Sequence, residues 1–138
     1  MKKKAIISVS SKQTDEEEPI EVVTPGSFYK KNDSYYAVYK ETELSGMEGT
    51  TTTLKIKQDK FSLIRMGSTS TKMDFDEDKK NVSMYKTPYG TIELRIETNS
   101  LNINVDEQGG DIMINYKIST AGQALKNTKL KVNIKVNE

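Results

Sequence analysis

The sequence predicts an all-β fold, a single antiparallel meander β-barrel of about ten short strands with minimal helix, and three observations predict it. Apolar and polar residues alternate with a period of two in run after run, from residue 4 almost to the C-terminus, as strands with one buried face require. Gly, Pro, Asn or Asp cuts these runs every ten residues or so, at the spacing of tight turns. No stretch repeats its apolar residues at the helical period over a useful length; Thr120 to Lys126 supplies one turn at most. Closure into a barrel removes the edges an open sheet would expose, and a two-sheet sandwich is the alternative. The 138 residues make one domain, residues 1–138, a length that buries roughly 70% of its unfolded surface. A hydrophobic content of 34% and a mean hydropathy of -0.68 are low. A one-layer sheet around one interior needs only every second residue apolar, so low hydropathy and alternation agree.

The elements follow in order. Ala5, Ile7 and Val9 alternate with Ile6, Ser8 and Ser10 in a first strand whose odd positions look inward. Gln13 to Glu18 is a polar, acidic loop, and Glu16 to Glu18 reads as solvated. Ile20 to Thr24 is a second run, punctuated by a turn or sharp bend at Pro25-Gly26. Phe28-Tyr29, Lys31-Asn32-Asp33 and Ser34 to Glu43 read as a hairpin with Asn32-Asp33 at its tip. Gly46 and Gly49 bracket a loop before the β-branched strand Thr50 to Lys57, and Gln58-Asp59 turns into Phe61 to Met66. Lys72 to Phe75 follows, then an acidic turn and Val82 to Thr87. Thr87-Pro88-Tyr89-Gly90, with Pro second and Gly fourth, is a β-turn signature leading into Thr91 to Glu97. Thr98-Asn99-Ser100 turns into Leu101, Ile103 and Val105, and Gly109-Gly110 reverses the chain into Ile112, Ile114, Tyr116 and Ile118. The last strand sets Leu130, Val132, Ile134 and Val136 on one face and Lys129, Lys131, Asn133 and Lys135 on a solvated other.

Composition excludes much chemistry. With no His and no Cys, Ser-His-Asp and Cys-His catalysis, His-based metal sites and disulfides are all absent. A carboxylate pair is the surviving catalytic option, yet no two acidic positions converge from sequence alone, so a non-enzymatic protein without cofactor or metal is expected. Asp74, Asp76 and Asp78 alternate around a turn but lack the Gly and the bidentate Glu of a calcium loop. A net charge of +1 gives no footprint for a nucleic-acid backbone. Apolar residues after Lys2-Lys3-Lys4 stop too soon for a signal peptide, and no segment approaches the ~20 apolar residues of a spanning helix. The lack of Cys favours the cytoplasm.

Five residues are candidates for a binding site. Glu41 shares a period-two face with Tyr35, Ala37 and Tyr39; the other face, Tyr36, Val38, Lys40 and Thr42, is equally open to being the inner one. Arg65 follows Phe61 and Leu63 at the same period and is one of two Arg beside 19 Lys. Arg is used where a planar fork of donors must meet a carboxylate or anionic ligand in low dielectric. Arg65 and Glu41 are therefore expected to point inward within ion-pair reach, as an anion anchor with its counter-charge or as a structural pair. Tyr39, Tyr85 and Tyr116 are amphipathic rings of the kind that line small-molecule cavities, and equally good strand residues. The inner face of Val82 to Thr87 is undetermined.

Tyr39-Lys40-Glu41, Gly49-Thr50-Thr51-Thr52, Arg65-Met66-Gly67, Met73-Asp74-Phe75, Tyr85-Lys86-Thr87-Pro88-Tyr89-Gly90 with Leu94 and Thr98, and Tyr116 occur in an order and spacing that resemble the YwiB-like family of small bacterial β-barrel proteins. The resemblance covers most of the chain. It implies a calycin-like, lipocalin-related barrel in a bacterial cytoplasm and transfers no catalytic residue, since the family has no assigned function. The expected role is binding of a small apolar or amphipathic ligand in the barrel. The alternative is a protein interaction or structural module with a solidly packed barrel. A small molecule and a second copy of the chain are the partners left open, with neither nucleic acid nor membrane indicated.

Overall fold

A computed structural model describes residues 2–14, 18–41, 48–68, 70–77, 79–120 and 126–137. Ten strands, all antiparallel, occupy them: β1 (Lys3–Gln13), β2 (Ile20–Lys31), β3 (Ser34–Lys40), β4 (Thr51–Ile56), β5 (Lys60–Met66), β6 (Thr71–Asp76), β7 (Lys80–Thr87), β8 (Gly90–Asp106), β9 (Gly109–Thr120) and β10 (Lys126–Val136). No helix occurs among the described residues. The sheet order β6-β5-β4-β3-β2-β1-β10-β9-β8-β7 is a meander in which the first and last strands meet. β1 and β10 pair in unbroken register from Ala5 opposite Val136 to Gln13 opposite Thr128. The helical turn considered near Thr120 to Lys126 falls mostly on residues 121–125, and Glu16, Glu17 and Asp78 likewise lie outside the described residues.

The barrel closes between β6 and β7, where little ladder exists. A single bridge joins Ser70 and Lys86, with backbone hydrogen bonds of 3.0 and 2.8 Å. Beyond it, side chains of β7 replace the missing backbone partners: Asn81 donates to the carbonyl of Asp74 at 3.0 Å, and Ser83 donates to that of Lys72. This answers which face of β7 is inner. Buried Ser83 and half-buried Asn81 point to the seam, while Val82 and Met84 face solvent at 66% and 50% exposure. Hydrophobic alternation points the wrong way here because unsatisfied carbonyls at a nearly closed seam cost more than two exposed apolar side chains.

Two expected turns are strand interior instead. Thr98-Asn99-Ser100 is a β-bulge in the continuous strand β8: Thr98 opposes Tyr116 and Ser100 opposes Asn115. One extra residue shifts the inward set from Leu94 and Ile96 to Leu101, Ile103 and Val105. A phase change in sequence is the mark of either device, and β9 pairs across both halves. Pro25-Gly26 also lies inside a strand, paired with Ile6 and Ala5. A Cβ at Gly26 would lie 2.5 Å from both Ile7 Cδ1 and the Val38 carbonyl and 3.2 Å from Tyr39 Cβ, so the glycine admits the close approach of β3 rather than a turn.

The hairpin tip at Asn32-Asp33 is as expected, with Asn32 at φ 57°. The interior is one apolar cluster in which Phe28, Phe61, Phe75, Leu54, Ile96 and Ile114 are fully buried. The lysines of β10 face solvent.

Candidate functional site

Strands β3 to β6 place their inward residues in three cross-strand rows. Tyr35, Ile56, Phe61 and Phe75 form the row nearest one end; Ala37, Leu54, Leu63 and Met73 form the middle row; Tyr39, Thr52, Arg65 and Thr71 form the row nearest the other end. The odd face of β3 is thus the inner one, and the barrel passes from aromatic to hydroxylic and charged within four residues of each strand.

Glu41 caps the polar row. Its backbone N–H donates to the Thr50 carbonyl at 2.8 Å, and its carboxylate accepts a hydrogen bond from the Thr52 hydroxyl. Arg65 Nε lies 3.8 Å from Glu41 Oε2, with side chains 18% and 3% exposed respectively. That distance is an ion pair without a hydrogen bond, and Nε, although buried, has no hydrogen-bond partner.

Across the lumen, Thr98, Tyr116 and Thr128 lie in register on β8, β9 and β10. The Tyr116 ring packs edge-on to Phe75 at 4.8 Å, and Phe75 meets Phe61 at 5.9 Å. Burial pushes the Tyr116 phenol up to about 12, opposed by the Arg65 guanidinium and the adjacent Thr128 hydroxyl. Burial, then the Glu41 carboxylate, drives Tyr39 upward as well, again against Arg65. Both phenols therefore stay protonated at neutral pH and act as hydrogen-bonding groups, not as bases. Tyr39, Glu41, Arg65 and Tyr116 thus share one electrostatic neighbourhood. Tyr85 is half-buried on β7 opposite Ile92, and among the described residues no hydrogen bond, ion pair or ring contact joins it to the other four.

The opposite end holds residues that the sequence reading did not single out. A cleft of about 710 Å³ is lined by Tyr35, Ile56, Ile103 and Val105, with Lys30, Asp33, Lys57 and Asp59 among its polar residues. Tyr35 stacks on Phe28 with ring centroids 5.5 Å apart, and Lys30 Nζ lies 5.5 Å from the Tyr35 centroid. Tyr35, Ile103 and Val105 pack against the core yet are only partly buried, so this mouth exposes an apolar wall beside a larger polar lining that also includes Gln58. The shared face of Ile103 and Val105 was visible in sequence; their meeting with Tyr35 and Ile56 from β3 and β4 was not. Among the described residues, no group of three or more acidic side chains gathers as a metal site would need. Asp74 instead accepts from Ser62 at 2.6 Å, and Asp76 from Asn81 at 3.4 Å. No helix among the described residues is long and apolar enough to cross a membrane.

Comparison with known proteins agrees with this architecture. The chain is 30% identical over 101 residues to the "Uncharacterized beta-barrel protein YwiB" of Bacillus subtilis, covering 72% of this chain and 69% of that protein. The crystal structure of the ywiB protein from Bacillus subtilis superimposes with a TM-score of 0.87, over 99% of this chain and 94% of that one, at 22% identity. Residues 6–132 match the model of a domain of unknown function, DUF1934. The chain therefore belongs to the DUF1934 family of β-barrel proteins.

Proposed function

We propose that this protein is a non-enzymatic, cytoplasmic barrel that binds a small apolar or amphipathic molecule at a mouth where an apolar wall meets a charged rim. The observation that carries the reading is the cleft lined by Tyr35, Ile56, Ile103 and Val105, whose volume of about 710 Å³ is of small-molecule size. Partly uncovered inward-facing residues leave apolar area for a ligand to bury, at about 25 cal/mol for each Å². Lys30, Lys57, Asp33 and Asp59 beside that wall balance in charge, which suits a ligand with an apolar body and a polar, neutral or zwitterionic head. Phe61, Phe75 and Tyr116, buried and in tilted and edge-on ring contact, occupy the interior, so the ligand sits in the mouth and does not thread the barrel. The analogy with lipocalins, which take ligands at a barrel mouth, is one of architecture alone.

The test is titration with a neutral apolar fluorophore, N-phenyl-1-naphthylamine, combined with native mass spectrometry of protein purified from its own cells. Saturable fluorescence that Ile103→Glu abolishes supports the reading; equal binding by wild type and Ile103→Glu sinks it. A second reading, an interaction module, draws on the exposure of Val82 and Met84 on the outer face of β7. A ligand-free dimer that Met84→Lys dissociates would favour that reading over the first.

A further inference from the structure

We propose that a hollow on the outer face of the barrel, where β1, β10, β9 and β8 meet, binds a small hydroxyl-rich molecule through its phosphate group. The hollow has a volume of about 420 Å³ and shares no residue with the mouth. Lys12, Thr14, Asn99, Asn115, Asn127 and Lys129 line it, and neither a carboxylate nor an aliphatic side chain does. Strand register carries the argument. Lys12 on β1 stands directly opposite Lys129 on β10, Lys129 opposite Asn115 on β9, and Asn115 opposite Ser100 on β8. Like charges facing each other across a ladder, with Cβ atoms about 5 Å apart, repel and destabilise the sheet. Both lysines are exposed, and among the described residues neither ammonium has an ion pair or a hydrogen bond. The outer face of β7 and β8 is arranged differently: Lys80 meets Glu97 and Arg95 meets Glu93, each at 3.1 Å. The rows flanking the lysine pair add Lys131 and Lys117, while Glu97, opposite Lys117, is held by Lys80. Glu21, in the Lys131 row, stands two strands away on β2. An ammonium group donates and cannot accept, so an anion in the hollow meets both the charge and the donors.

The bulge in β8 completes the lining. Thr98 opposes Tyr116 and Ser100 opposes Asn115, which leaves Asn99 outside the ladder, exposed and in the hollow. Asn115 Nδ2 donates to Ser100 Oγ at 2.9 Å, and the Thr14 hydroxyl donates to the Asn127 carbonyl at 3.1 Å, so two of the lining residues are tethered. A phosphate monoester carries about −1.5 to −2 at pH 7, which matches two lysines where a carboxylate neutralises one. The rest of the hollow offers the amides of Asn99, Asn115 and Asn127, each with donor and acceptor, as hydroxyl groups require. No aromatic face is presented for a base to stack on, since the Tyr116 ring packs on Phe75.

The experiment is titration of the intact protein with glucose 6-phosphate, inorganic phosphate and glucose at constant ionic strength, followed by NMR on the side-chain amides of Asn99, Asn115 and Asn127. Saturable shifts are expected with glucose 6-phosphate, weaker binding with inorganic phosphate, and none with glucose. Lys129→Gln should weaken binding about tenfold. The same change should raise the Tm of the empty protein, because it removes the repulsion with Lys12. Asn99→Ala should weaken binding severalfold. Lys135→Gln, on the same face of β10 but outside the hollow, should leave both affinity and Tm unchanged. Shifts that fail to saturate, undiminished affinity in Lys129→Gln, or glucose binding as well as its phosphate would overturn the site. So would a thymidine oligonucleotide that binds tightly and weakens equally in Lys129→Gln and Lys135→Gln, the mark of a diffuse basic face that reads a polyanion.

Discussion

On strands β3 to β6 the row Tyr35, Ile56, Phe61 and Phe75 lies four residues along each strand from the row Tyr39, Thr52, Arg65 and Thr71. The same four strands, in the same register, therefore build an aromatic end and a polar end of one lumen. The aromatic end is held by dispersion and burial, which need only shape and so tolerate an open mouth. The polar end is held by specific partners and still leaves buried Arg65 Nε without a hydrogen-bond partner. Stability concentrates in the first arrangement and unmet hydrogen-bonding capacity in the second.

Removing a ring from the aromatic side should have the largest effect. Phe75 touches both Phe61 and Tyr116, and Phe75→Ala should cost about 3–5 kcal/mol in urea unfolding. At the polar end, Arg65→Ala strands the Glu41 carboxylate and should cost roughly 3 kcal/mol, whereas the double variant Arg65→Leu, Glu41→Leu should cost much less. An unchanged thermal midpoint in Arg65→Ala would remove the ion pair from the account.

The phenols give a pH test. A pKa raised by burial means that the unfolded chain releases these protons first. The stability that neutral Tyr39 and Tyr116 provide is complete below about pH 10 and declines as pH rises above it, by roughly 1 kcal/mol per pH unit for each phenol. For Tyr116 the decline ends near its native value of about 12. Melting curves at pH 8, 10 and 11 should show this fall, and Tyr116→Phe should flatten it. The smallest effect belongs to the seam. Ser83→Ala should cost about 1 kcal/mol, and the amide protons of β6 and β7 should exchange faster than those of β1 and β10.

Period-two alternation sufficed for the architecture, because a barrel meander is written locally: each inward set is every second residue, and each turn is marked by Gly, Pro, Asn or Asp. It failed where a partner strand decides. The bulge at Thr98 to Ser100 and a turn there produce the same phase slip in sequence, and only pairing with β9 separates them. Asn81 and Ser83 face inward because β6 carbonyls across the seam require donors, a need that no property of β7 alone reveals. For the site, the scarcity of Arg and its shared period with Phe61 and Leu63 pointed to Arg65. The apolar wall of the mouth was hidden, since Tyr35, Ile56, Ile103 and Val105 come from three strands and are ordinary strand residues one by one.

The chain contains no Trp, so one introduced indole reports from a single place. Val105→Trp puts it in the mouth, and Met66→Trp puts it at an exposed position of β5 as a control. Titration of each with a bromine-labelled medium-chain alcohol should quench the Val105→Trp emission saturably and leave Met66→Trp unaffected. Equal quenching of both, or none of either, would contradict an amphiphile-binding mouth.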